Sequence, residues 1–168
     1  MKRLGYRVAA VVCVAAGALL FAAPVLAGEN DATIASMPQE KFDLIEQNVV
    51  LALSSGIPGM QADAAQLVRD LKSIRPEEAL TQTVVPLMGV LKDEQADPAS
   101  RILAALALNT LESDKGDYAI ARTAQFTDNQ KVKHLCSWLA YAKKTGRSAD
   151  ARGMATLDPV EPLEEFGY

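Results

Sequence analysis

Apolar residues form one unbroken stretch near the start of the chain, from Val8 to Ala27, and after residue 36 they return every three or four positions. The second pattern is the period of amphipathic helices, and period-two alternation is almost absent. Phe42, Ile45, Val49 and Leu53 predict a first helix ending at Gly56, and Ile57-Pro58-Gly59 turns the chain. Met60, Ala64, Leu67, Leu71 and Ile74 predict a second. Arg75-Pro76-Glu77-Glu78 predicts the start of a third, with an early proline and two acids that suit the positive end of the helix dipole. Pro86 should kink or split that helix near Val84.

Asp97-Pro98 supplies a cap and a first-turn proline for a fourth helix. Its stretch Ile102-Leu103-Ala104-Ala105-Leu106-Ala107-Leu108 is apolar on most faces. Such a helix is covered on most faces, so it belongs at the centre. Ser113 to Gly116 reads as a turn, with Asp117 capping a fifth helix. Thr127-Asp128-Asn129-Gln130 reads as a capping box launching a sixth, whose stripe is Val132, Leu135, Cys136 and Leu139. The expected fold class is therefore all-α, about six helices in three antiparallel pairs.

The opening apolar stretch has another meaning. Lys2, Arg3 and Arg7 precede it, and it closes on Pro24-Val25-Leu26-Ala27 with small residues where a peptidase would cut. Residues 1–27 are expected to be a Sec-type signal peptide cleaved after Ala27, placing the protein in the periplasm or outside the cell. A retained membrane anchor is the rival, since about 20 apolar residues can span a bilayer. Residues 28–35 then form a flexible lead-in, 36–145 the helical domain, and 146–168 an acidic, disordered tail.

Removing the signal changes the charge. All 21 acidic residues follow Ala27 and three of the 17 basic residues precede it, so the net charge moves from −4 to about −7. Nucleic acid is an unfavourable partner for such a chain. A membrane partner enters only through an uncleaved signal. One cysteine, Cys136, remains, so packing rather than an internal disulfide must hold the fold.

The helices also echo one another. Ser100-Arg101-x-x-Ala104-Ala105-x-x-Leu108-x-x-Leu111 is repeated by Val132-Lys133-x-x-Cys136-x-x-Leu139, and more weakly by Met60-Gln61-x-x-Ala64-Ala65-x-x-Val68-x-x-Leu71. The offsets, 40 residues from Met60 to Ser100 and 32 from Ser100 to Val132, suit two-helix repeat units. With Pro86-Leu87, Val90-Leu91-x-Asp93, Asp97-Pro98, Arg101, Ala104-Ala105 and Ala107-Leu108, the middle unit resembles HEAT-like repeats. It departs from them in the spacing from Asp93 to Arg101 and in Ser100, where a valine is usual. The resemblance implies a short α–α superhelix and protein binding, and it implies no chemistry.

Candidate chemistry is sparse. His134 is the only histidine, so metal binding lacks ligands and no metal or cofactor is expected. Cys136 lies in the apolar stripe and is expected to pack as a small hydrophobe. Arg101 is expected to pair with Asp93 or Asp97 across a turn. His134, Trp138 and Tyr141, at i, i+4 and i+7, would form an aromatic ridge for a protein partner. Alternatively the tail covers Trp138 through Leu163 or Phe166. No glycine-rich phosphate loop, serine elbow or metal cluster is present, and the expectation is not an enzyme. The function expected is an exported interaction module, an adaptor or scaffold in the bacterial envelope. A periplasmic chaperone or stress-response protein, faintly suggested by Leu80-Thr81-Gln82, and a small-ligand carrier are the alternatives.

Overall fold

The computed structural model describes residues 26–146, and side chains from residue 31 onward. Most of the expected signal segment and the expected tail lie outside the described residues. Seven α-helices and no strand occur among the described residues, so the fold is all-α. They are α1 (Leu26–Ala35), α2 (Gln39–Leu53), α3 (Pro58–Ile74), α4 (Thr81–Lys92), α5 (Pro98–Leu111), α6 (Asp114–Phe126) and α7 (Gln130–Thr145). The seventh is α1, which lies over the expected lead-in 28–35 and packs on α3.

Short connections join α2 to α3, α4 to α5 and α6 to α7, and each pair packs together. Packed helices joined this closely run antiparallel. The pairs then stack in two layers. In one, α2 lies against α4 and α4 against α6; in the other, α3 lies against α5 and α5 against α7. The three helices that echo one another in sequence form this second layer. Their small residues Ala64, Ala65, Ala104, Ala105 and Cys136 are all buried, so backbones approach closely where side chains are short. α5 touches α3, α4, α6 and α7, and it buries Ser100, Arg101, Ala104, Ala105, Ala107, Leu108 and Leu111. It is central, as its composition requires.

Helix starts depart from the sequence expectation in three places. The third begins not at Pro76 but at Thr81, while Pro76 and Glu77 form a turn. Leu80 takes a left-handed conformation (φ 44°) and offers no side-chain cap. The cap comes from α2: buried Glu46 accepts from the Gln82 backbone N–H at 2.9 Å, and from the Gln82 side chain at 3.4 Å. Gln82 thus has a structural partner. The helix then continues through Pro86 without splitting.

The fifth expected helix begins at Asp114, three residues before Asp117, because Ser113 accepts from the Gly116 N–H at 3.1 Å. Gly116 is thereby helical rather than part of a turn. A Cβ there would lie 2.9 Å from Ser113 Oγ and 3.3 Å from Leu108 Cδ2. In α7 the cap is Asn129, which accepts from the Lys131 and Val132 N–H groups, and not Thr127.

Two glycines predict opposite outcomes for the same change. Gly89 is exposed on α4, and a Cβ there meets nothing within 4 Å. Gly89→Ala should stabilise the fold by about 0.5–1 kcal/mol through helix propensity alone. Gly116→Ala should destabilise by about 1–3 kcal/mol, by displacing the Ser113 cap and crowding Leu108. Urea midpoints check both.

Candidate functional site

The aromatic ridge expected on α7 is not one surface. His134 is exposed, Tyr141 is half-buried, and Trp138 is 4 % exposed within the core cluster. Trp138 stands beside the stripe Val132, Leu135, Cys136 and Leu139, all buried. Burial pushes the Cys136 thiol up to about 12, against a smaller opposing pull from the Arg101 charge. A thiol held that firmly protonated is a poor nucleophile. His134 and Cys136 do not converge, and among the described residues no group of three or more His, Cys, Asp or Glu could hold a metal ion.

The polar centre lies instead where α4, α5 and α6 meet. Arg101 is 1 % exposed, and its partner is Glu94 rather than Asp93 or Asp97. Nη1 donates to Glu94 Oε2 at 2.8 Å and Nη2 to Oε1 at 2.7 Å, the two-pronged geometry that suits a planar guanidinium. Nε donates to the Leu91 carbonyl at 3.0 Å, and Nη2 also donates to Thr127 Oγ1 at 3.0 Å. The Thr127 hydroxyl donates to Glu94 Oε2 at 3.2 Å and accepts from the Asn129 N–H at 3.3 Å. One buried cation thus joins the end of α4, the start of α5 and the α6–α7 turn. Asp97 is free for its own task, capping α5 through the Ala99 and Ser100 N–H groups. Ser100 itself is buried and donates to the Pro58 carbonyl at 2.9 Å, tying α5 to the start of α3. That bond gives the buried Ser100 hydroxyl its partner.

The Glu94 carboxyl sits below the ordinary value of 4.5, chiefly because Arg101 donates to it; partial burial opposes, and Thr127 adds to the lowering. A carboxyl whose folded value is depressed adds stability above its unfolded value, and loses it as pH falls through the folded one. Stability should therefore fall as pH drops below 4.5. The carboxylate is 44 % exposed, so solvent screens part of the gain. Glu94→Gln should flatten this acid branch, measured as urea midpoints at about pH 3 and about pH 6. An equally steep loss in the variant would assign the acid sensitivity elsewhere.

Above this network, the outer face of α6 carries Tyr118, Arg122 and Phe126 at i, i+4 and i+8. Tyr118 is 51 % and Phe126 64 % exposed. The Arg122 guanidinium lies 4.1 Å from the centre of the Phe126 ring, a cation–π contact that holds both side chains in place. With Lys92, Glu94, Thr123 and Thr127 they line an open depression of about 340 Å³ between α6 and the end of α4. Its rigid base is the Arg101 network, which also neutralises Glu94. Lys92 and Arg122 therefore set the charge of the groove, and it is positive in a chain whose net charge is negative.

A second depression, of about 280 Å³, lies among α5, α6 and α7, with Ile120, Ala121, Leu139 and Ala140 as its apolar part and Lys143 at its edge. Lys143 pairs with Asp117. No described helix is long and apolar enough to cross a membrane.

The α6 stripe is written in the sequence at helical spacing, but spacing does not say which face the fold covers. Tryptophan is common at interfaces and in cores alike, and the stack uses Trp138 as core. Compared with known proteins, the chain matches no family model, no curated protein and no solved structure.

Proposed function

We propose that this chain is an exported, non-catalytic interaction module, a short HEAT-like stack of three helix pairs serving as an adaptor or scaffold in the bacterial envelope. The observation that carries this reading is the exposed Tyr118–Arg122–Phe126 stripe over the α4–α6 groove, in which Arg122 lies on the Phe126 ring. Tyrosine and arginine dominate the residues that supply binding energy at protein interfaces, and phenylalanine is enriched there. The Arg122–Phe126 contact also lessens the side-chain entropy those two residues lose on binding. The partner chemistry that fits is an acidic segment bearing an aromatic or branched apolar side chain, which would match both the Lys92 and Arg122 charges and the two rings. Two-layer stacking of α2 to α7 and the equivalent small residues of α3, α5 and α7 favour the repeat architecture.

The test places a photo-crosslinking residue at Tyr118 in the exported protein in intact cells. One or a few discrete adducts are expected, reduced by Arg122→Glu. The same residue in place of exposed Asn48 on α2 should give none of them. Identical adducts from both positions, or none from Tyr118, would count against the docking role.

A further inference from the structure

We infer that the groove has a resident occupant, the chain's own C-terminal segment 161–168, and that an outside partner must displace it; this rests on the docking reading above. The segment reads Glu161-Pro162-Leu163-Glu164-Glu165-Phe166-Gly167-Tyr168, three acids, one leucine and two aromatic rings with no basic residue. It is the acidic, aromatic chemistry that Lys92, Arg122, Tyr118 and Phe126 are built to receive. Glu94, the one acid lining the groove, is matched from below by Arg101, so it does little to repel the incoming carboxylates.

The point where the segment leaves the fold supports the same pairing. Helix α7 ends at Thr145, and its last turns lie along the start of α6, where Lys143 pairs with Asp117. Asp117 is the residue before Tyr118, so α7 ends at the same end of α6 at which the stripe begins, although on the neighbouring face of that helix. From Asp117 to Phe126 helix α6 advances only about 14 Å. Residues 147–160 can span up to about 45 Å, so length sets no obstacle. Tethering raises the local concentration of such a segment to roughly the millimolar range. Weak complementarity then suffices for occupancy, while a tighter external ligand still competes.

The experiment uses purified full-length mature protein with a photo-crosslinking residue in place of Phe166. The expected adduct is intramolecular, maps to peptides holding Tyr118 to Phe126, and does not vary with protein concentration. Arg122→Glu, an exposed change checked by circular dichroism for native helicity, should lower its yield about fivefold, as loss of one exposed ion pair predicts. Adding Glu164→Lys and Glu165→Lys to Arg122→Glu should restore it. Adducts mapping elsewhere, adducts formed only between two copies, or a yield indifferent to Arg122→Glu would overturn the inference. In cells, deleting residues 158–168 should raise the adducts formed from Tyr118 with other proteins. If the intramolecular adduct forms as expected but Tyr118 meets no other protein even after that deletion, the segment seats in the groove and the interaction-module reading fails instead.

Discussion

Ala104→Glu is expected to leave no folded protein. Ala104 is 0 % exposed at the middle of α5, the helix that touches four others. The buried cation one turn away, Arg101, is already engaged by Glu94, Thr127 and the Leu91 carbonyl, so a carboxylate at 104 must compete for it, protonate or drive the helix out. Even the neutral acid costs about 2–7 kcal/mol when it enters an apolar site without a hydrogen bond. Crowding by the longer side chain adds about 1–3 kcal/mol. A domain of this size has about 5–15 kcal/mol in total, and the two costs together, about 3–10 kcal/mol, are of that same size. Ala104→Gly should cost only about 1 kcal/mol, which separates lost helix propensity from the buried charge. Circular dichroism and solubility decide the matter: native helicity in soluble Ala104→Glu would mean that α5 is not at the centre.

Arg101→Met removes the buried cation while keeping a long side chain. The Leu91 carbonyl loses the guanidinium donor and the Thr127 hydroxyl loses one of its two, and the tie among α4, α5 and the α6–α7 turn is cut. Breaking a buried ion pair costs about 3–5 kcal/mol. The low end is expected here, about 3 kcal/mol, because Glu94 is 44 % exposed and can turn to water. The reverse change, Glu94→Leu, should be the more damaging single variant, since Arg101 at 1 % exposure has no such escape. Combining the two should recover part of the loss, because the stranded charge is gone. Urea midpoints at unchanged slope measure all three variants. A double variant as unstable as the sum of the singles would show that the two groups act independently.

The two variants also bear on the groove. Thr127 and Glu94 line it and are held by Arg101. A protein carrying Arg101→Met should therefore lose partner adducts from Tyr118 under conditions where its helicity is still native. Gly89→Ala, which touches no lining residue, should leave them unchanged.

Helix content and the core were legible because burial imposes a period on the chain. Phe42, Val49 and Leu53 in α2, the Ala-rich face of α5 and the Val132 to Leu139 stripe of α7 all fall where the three-to-four spacing puts them. Asp97 followed by Pro98 was equally clear, because a cap acts on backbone groups within three residues of itself. Local signals decide local events.

Where several residues could do the same local job, sequence alone did not choose. Ser113 rather than Asp117 caps α6, and Asn129 rather than Thr127 caps α7. The Thr127 hydroxyl is shared between the Asn129 N–H and a cation 26 positions earlier in the chain, while Asn129 makes the cap. The start of α4 has no local cap at all; Glu46, 36 residues upstream, provides it. The sequence by itself determined an all-helical chain with α5 at its centre, since periodicity and apolar coverage are properties of each segment alone. Only the tertiary structure decided that Arg101 meets Glu94, that Trp138 turns inward, and that Tyr118, Arg122 and Phe126 stay outside. Those outcomes depend on which face of one helix another covers, and that is set by the stacking of pairs distant in the chain.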